Sequence, residues 1–272
     1  MLQIKTIRHL NCAWIAKGSK NKNAPILFFL HGFPDDADTW SFQLDHFAKD
    51  YLVVAPYFPG AGPSQPPKEK KRFHLNSILL DHLSILREID PLERKKVCVV
   101  AHDIGAIYGW NLARALKNRL DKLVMINGPS LEQFFSRYKN ISQVKKSWYI
   151  YFFQMPVIPE WALNRWKTKF FPKSHHDKNI SLHMIEQYRQ AFLPGLKTLK
   201  IKPEKITHPV LCLWGKDDPY LDAPSYQEMD LISTNYTLRV LPGKHWLHKD
   251  EPKKINQLIE EFLGNNNEAK AI

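Results

Sequence analysis

Cysteine is almost missing from this chain. Cys12, Cys98 and Cys212 are its only three, too few and too far apart for a disulfide framework or a zinc site. Cys98 and Cys212 also lie inside strand-like runs, so all three are read as reduced core residues, and no metal is expected. Long apolar runs are missing as well, since no stretch approaches the roughly 18 residues a membrane helix needs. Met1 to Leu10 alternates charged and apolar residues where an export signal would have a continuous apolar core. The expectation is a soluble, cytoplasmic protein with no integral membrane segment. Repeats and low-complexity tracts are absent too, and the 44% apolar content excludes a disordered or fibrous chain.

What is present in excess is positive charge. Lys and Arg number 39 against 27 Asp and Glu, a net charge of +12, which raises nucleic acid or an anionic membrane as a partner. The distribution argues against nucleic acid. The cations are scattered, and the densest run, Lys68-Glu69-Lys70-Lys71-Arg72, follows Pro66-Pro67 in a loop with no aromatic side chains interleaved for base stacking.

Short apolar runs recur between turn signals: Ile26 to Leu30, Tyr51 to Ala55, Val97 to Ala101, Leu123 to Asn127, Val210 to Trp214 and Thr237 to Leu241. Helix-spaced apolar residues separate them at Leu75 to Ile89, Ala106 to Leu116 and Lys253 to Leu263. That alternation predicts a mostly parallel sheet wrapped by helices, and the segment before Leu30 has room for an antiparallel hairpin at the sheet edge. From about Pro129 to Pro209 the alternation stops, and helix-like segments rich in Trp, Tyr and Phe take over, among them Trp148-Tyr149-Ile150-Tyr151-Phe152-Phe153. A structureless loop of that length is improbable, so residues 129–209 are expected to form a helical lid over a core of residues 1–128 and 210–272. Many of its aromatics would simply pack the lid, and its surface is the candidate contact for a homodimer.

The chemistry is written at residues 101 to 105, Ala-His-Asp-Ile-Gly, where a strand run meets a helix-like stretch. In the α/β-hydrolase arrangement such a sharp turn carries the nucleophile at its apex. Here the apex residue is Asp103. A carboxylate attacking an ester would give an anhydride, but it can displace a leaving group at an sp³ carbon, so the turn points to alkyl transfer followed by ester hydrolysis. His31-Gly32-Phe33-Pro34 follows the first strong strand run, and the backbone N–H groups of Phe33 and Ile104 are the expected oxyanion donors. Phe33-Pro34 is a candidate cis peptide, and His31 is read as a structural hydrogen-bonder. Asp218 follows one strand run and His245 the next, giving the chain order nucleophile, acid, histidine. A histidine held by a buried carboxylate suits activation of water near neutral pH. Asp217 is adjacent and competes with Asp218 for that role, whereas His248 is read as a neighbour. Asp35, Asp36 and Asp38 are expected to be solvated turn residues.

Together these segments resemble the epoxide hydrolases of the α/β-hydrolase superfamily over essentially the whole chain. The oxyanion turn, the His102-Asp103-Ile104-Gly105 elbow, the Trp214-Gly215-Lys216-Asp217-Asp218 acid turn and His245-Trp246 are each similar to a family segment. Elbow and triad alone are shared with dehalogenases. The lid separates them: Tyr149 to Pro156 and Gln187-Tyr188-Arg189 are similar to the segments bearing the two lid tyrosines of epoxide hydrolases. The resemblance therefore implies that Tyr149 and Tyr188, with Tyr151 as the substitute for Tyr149, donate to an epoxide oxygen while Asp103 attacks the adjacent carbon. It implies no cofactor, and a small lipophilic epoxide and water as substrates.

The chain also departs from the family pattern. Ala101 and Ile104 stand where relatives commonly have Gly and Trp, and Tyr57 to Pro59 replaces an Asp and Arg pair. Ile104 cannot bind a departing halide through an indole N–H. A haloalkane or haloacid dehalogenase is the alternative within enzymes, a non-catalytic small-ligand-binding protein is the alternative outside them, and the lid's aromatics with the basic charge allow weak membrane association.

Overall fold

The computed structural model describes residues 1–18, 23–137, 140–170, 182–198 and 204–264. Eight strands form one sheet: β1 (Leu2–Ile7), β2 (Leu10–Gly18), β3 (Ile26–Leu30), β4 (Leu52–Pro56), β5 (Val97–His102), β6 (Leu120–Ile126), β7 (Val210–Gly215) and β8 (Tyr236–Leu241). Their order is β1-β2-β4-β3-β5-β6-β7-β8. The β1–β2 hairpin is antiparallel and sits at one edge, β2 meets β4 antiparallel, and all remaining pairs are parallel.

The central strands read as unbroken apolar runs because both sheet faces are covered. Ile26, Phe28, Leu30, Val97, Val99 and Ala101 join the core on one face. Their alternate neighbours Leu27, Phe29, Cys98 and Val100 join the other. Each Val, Leu, Ile or Phe among them contributes about 1.5–3 kcal/mol when fully buried. Three helices precede β6: α1 (Ser41–Phe47), α2 (Leu75–Ile89) and α3 (Ile104–Leu116). Among the described residues five helices lie between β6 and β7: α4 (Leu131–Ser136), α5 (Ile141–Lys146), α6 (Trp148–Phe153), α7 (Ile158–Phe170) and α8 (His183–Thr198). The last three are α9 (Tyr226–Asp230), α10 (Leu247–Asp250) and α11 (Pro252–Gly264). Among the described residues no helix is long and apolar enough to cross a membrane.

Strand β6 begins at Leu120, three residues before the apolar run that marks it in the sequence. The masking residues are Asp121 and Lys122. Lys122 is only 2% exposed, yet its ammonium donates to the carbonyls of Phe262 (2.6 Å) and Leu263 (3.0 Å) at the end of α11. A cation at a helix carboxyl end satisfies orphan carbonyls and meets the negative end of the macrodipole, which offsets the cost of burying it.

Gly105, in the first turn of α3, sets how closely that helix approaches β3. A methyl group there would lie 2.3 Å from the His31 carbonyl oxygen and 2.6 Å from that of Leu30. Backbone at the core of a sheet cannot withdraw as a side chain can. Gly105→Ala is therefore expected to cost about 1–3 kcal/mol, seen as a lower midpoint of urea unfolding at unchanged slope. An unchanged midpoint would mean that α3 does not seat against β3 as described.

Candidate active site

Asp103 stands between β5 and α3 with φ 53° and ψ −127°, a left-handed conformation that costs a non-glycine residue free energy. The turn lifts the carboxylate out of the sheet toward α6 and α8 while leaving it only 4% exposed. Its Oδ1 accepts from the Phe33 amide at 3.0 Å and from the Tyr188 hydroxyl at 3.2 Å. Its Oδ2 faces His245 Nε2 at 3.3 Å. Burial alone would raise the Asp103 pKa, but the hydrogen bond and charge of His245, with the Phe33 amide, outweigh it and hold the group down to about 2.

The Phe33 amide is aimed by the turn after β3, whose Phe33-Pro34 bond is cis. His31 holds this turn as expected of a structural residue: its Nε2 accepts from the Phe58 amide at 3.1 Å, and its ring packs on Phe58 with centroids 4.3 Å apart. Ile104 is the first residue of α3, so its amide lies beside Asp103 at the positive end of a helix.

His245 Nδ1 pairs with Asp218 Oδ2 at 2.8 Å. Asp218 is buried and adjacent Asp217 is exposed, so it is Asp218 that meets His245. Its other oxygen, Oδ1, accepts from the amides of Tyr220 (2.8 Å) and Leu221 (3.1 Å). Burial works against the charge of Asp218, and the neighbouring His245, those amides and Asn127 lower its pKa below the ordinary carboxylate value. Burial likewise opposes a charged His245, yet two carboxylates, Asp218 and Asp103, push its pKa up to about 10. The resting pair is thus an imidazolium clasped between two carboxylates.

Tyr188 and Tyr149 are both buried over Asp103, their ring centroids 6.0 Å apart. Burial first, and then the charge of Asp103, raise both phenols well above their ordinary pKa, so each remains a proton donor at neutral pH. Tyr151 is 55% exposed and turned away from Asp103's surroundings, and it does not substitute for Tyr149.

Several contributors were not singled out in the sequence. Asn127 stands at the end of β6, where its lack of a carboxylate had set it aside. Its side-chain amide donates to Asp218 Oδ2 at 2.6 Å, and its Oδ1 accepts from the Gly215 amide at 3.3 Å, tying the acid turn to the neighbouring strand. Tyr220 lays its ring edge-on to His245, centroids 5.1 Å apart. His102 Nε2 meets the His245 carbonyl at 2.9 Å, and burial with the neighbouring His245 lowers its pKa to about 4, keeping it neutral.

Asp35 corrects an expectation. It is 1% exposed rather than solvated, because it accepts from Thr39 Oγ1 (2.8 Å) and Trp246 Nε1 (3.0 Å) and pairs with the Lys249 ammonium at 3.5 Å. Asp36 caps a short 3₁₀ turn, and exposed Asp38 accepts from the Tyr57 hydroxyl. Asp35, His102 and His248 bring ligand-type atoms within 4.8 Å of one another. Lys249 already supplies the cation that Asp35 requires, and a second beside it would be repelled. We read the cluster as the brace behind His245.

The segment 25–146 matches the model for the alpha/beta hydrolase fold. Over 276 residues the chain is 30% identical to epoxide hydrolase 4 of Homo sapiens, an alignment covering 92% of this chain and 75% of the relative. The chain belongs to the epoxide hydrolase family. It is also similar to the family's epoxide hydrolase 3 of Xenopus tropicalis, at 27% identity over 92% of this chain and 74% of that protein. Its fold matches a solved Bacillus megaterium epoxide hydrolase bound to a diol product with a TM-score of 0.81, at 24% identity, covering 96% of this chain and 99% of the other. A Salmonella enterica protein described as a putative acyltransferase matches with a TM-score of 0.82 at 18% identity, so the fold reaches well beyond the epoxide hydrolase family.

Two departures from the epoxide hydrolase pattern have structural answers. The Ala101 methyl group lies where a Cβ on Gly109 of α3 would come within 2.9 Å, so the missing side chain at Gly109 makes room for it. Ile104 lines the space above Asp103 and gives it an aliphatic wall.

Proposed function

We propose that this protein hydrolyses lipophilic epoxides to vicinal diols through a covalent ester on Asp103, without metal or organic cofactor. The observation that carries the reading is a single carboxylate addressed from three sides: Phe33 N–H and Tyr188 O–H on Oδ1, and His245 on Oδ2. Helices α4 to α8, within residues 129–209, act as the lid that brings the phenols to it.

Asp103 Oδ2 attacks an oxirane carbon as the C–O bond on the far side breaks. The departing alkoxide, a poor leaving group, takes its proton from Tyr149 or Tyr188. Oδ1 stays on the Phe33 amide and becomes the carbonyl oxygen of the ester. Alkylation removes the Asp103 charge, one of the two that raise the His245 pKa, so His245 loses its proton more readily just when a base is needed. Neutral His245, oriented by Asp218, then takes a proton from water attacking the ester carbonyl. The Phe33 and Ile104 amides hold the oxyanion, the bond from Cγ to the alkyl oxygen breaks, and the diol leaves with a proton returned from His245; the proton left on the regenerated Asp103 carboxyl and the one His245 gave up earlier then restore the imidazolium and the tyrosine hydroxyl.

The dehalogenase alternative lacks support at Ile104, which offers no side-chain N–H to a halide, and no observation favours a purely ligand-binding role. A single turnover in ¹⁸O-water tests the scheme. The diol formed should be unlabelled, and the peptide containing Asp103 should gain one heavy oxygen, because water attacks Cγ. Label in the diol of the first turnover would mean direct attack of water on the epoxide, and no diol from any epoxide would remove the assignment.

A further inference from the structure

Resting on the epoxide reading, we propose that the substrate is a terminal epoxide with one long, uncharged tail, held in a second cavity beside the reaction site. The space around Asp103 is small and lies in two parts. On the side of Phe33, Tyr220, His245 and Trp246 it measures about 10 Å³, and on the side of Ile104, Ile107 and Phe134 about 20 Å³. About 10–15 Å³ is what one water molecule requires. The His245 side therefore suits the hydrolytic water and leaves no room for a carbon substituent.

The other side backs onto a cavity of about 190 Å³ between α4, α5, α6 and α8. Phe134, Ile150 and Phe192 line both spaces, so these three side chains are the partition, and Val144 and Phe135 line the outer cavity alone. Phe134 and Phe192 meet edge to face with centroids 4.8 Å apart. Parting that contact joins the outer cavity to the Ile104 side of the space at Asp103. A substituent on a single oxirane carbon can use it, and a second substituent on the other carbon meets the closed aromatic side.

The walls also decide the chemistry of the tail. Among the described lining residues Arg137 is the one cation, and each of its three guanidinium nitrogens already donates, to Glu228 Oε1 (2.5 Å), Glu228 Oε2 (2.9 Å) and the Asp222 carbonyl (2.6 Å). Gln143 is similarly spent on Ser147, the Tyr220 carbonyl and the Asp222 amide. A carboxylate at the end of the tail would find no free positive charge there, whereas an alkyl or aryl tail meets aromatic and aliphatic surface.

The test is kcat/KM for straight-chain terminal epoxides from 1,2-epoxybutane to 1,2-epoxydodecane, with trans-5,6-epoxydecane and 9,10-epoxydecanoate beside 1,2-epoxydecane. Values should rise about three- to fourfold per methylene until the cavity is full, and the internal epoxide and the carboxylate should each fall at least tenfold below 1,2-epoxydecane. Val144→Trp should flatten the series, and a far-ultraviolet circular dichroism spectrum and urea midpoint like those of the parent show that the variant is folded. A flat series in the unmodified protein, or equal rates for the internal isomer, overturns the tail site while epoxide hydrolysis stands. No turnover of any of these epoxides overturns the underlying reading and this one with it.

Discussion

Exposed to styrene oxide, His245→Gln protein should accumulate a hydroxyalkyl ester on Asp103, and steady-state diol formation should fall by about 10²–10⁴-fold. Alkylation requires an ionised Asp103, which loses the charge of His245 but keeps the Phe33 amide, and a proton donor for the oxygen, which Tyr149 and Tyr188 still supply. Hydrolysis of the ester requires a base beside its carbonyl, and His245 Nε2, 3.3 Å from Asp103 Oδ2, is the group so placed. Gln keeps a polar side chain near Asp103 but cannot take a proton from water. Intact-mass and peptide mapping should find the adduct on the peptide containing Asp103 at one equivalent per chain. Full turnover in this variant would place the base elsewhere. Loss of both adduct and diol would mean that His245 is needed before the ester forms. The brace behind the ring explains why His248 is a poor substitute: its Nε2 is engaged with Thr39 Oγ1 at 2.9 Å, and burial lowers its pKa well below the usual histidine value.

Removing both lid phenols should act on the other half of the reaction. In a Tyr149→Phe, Tyr188→Phe double variant the alkoxide would have to leave without a donor, and ring opening should slow by about 10⁴-fold, against about 10²-fold for either single change. Each single variant keeps one phenol over Asp103, and the raised pKa values of both keep the remaining one protonated across neutral pH. Trp246 packs against His245 with centroids 4.8 Å apart, so its fluorescence in a stopped-flow experiment offers a direct reading of alkylation. Tyr151→Phe serves as the control and should leave the rate of ring opening unchanged, because Tyr151 is 55% exposed and borders the outer cavity rather than the space around Asp103. A double variant within tenfold of the parent would reduce Tyr149 and Tyr188 to packing residues.

These two experiments separate the halves of the proposed cycle because different parts of the chain supply them. Core elements after β3, β5, β7 and β8 hold the nucleophile, the oxyanion amides, the acid and the histidine. The helices between β6 and β7 supply the phenols and, on the inference drawn above, the tail site.

Much of this was legible in the sequence wherever local chemistry dictates local geometry. A buried parallel strand writes itself as a continuous apolar run, and a strand-turn-helix with Asp103 at its apex needs only neighbouring residues to specify it. Failures came where partners lie far along the chain. Lys122 hid the start of β6 because a lysine argues for solvent until the end of α11 is seen to pack against it. Asp35 looked like a turn residue until Trp246 and Lys249, more than 200 residues on, were found donating to it. Asn127 was passed over for lacking a charge, although what Asp218 uses from it is an N–H.

The sequence by itself determined the sheet's alternation, the turn at Asp103 and the placing of Asp103, Asp218 and His245 after successive strands, because backbone propensity and side-chain period act between residues a few positions apart. Only the tertiary structure decided that Asp218 rather than Asp217 faces His245, that Tyr149 rather than Tyr151 overlies Asp103, and that Phe134, Ile150 and Phe192 stand between Asp103 and a second cavity. Those choices are made by packing between segments that the sheet order brings together, and no local pattern carries the geometry of a contact across scores of residues.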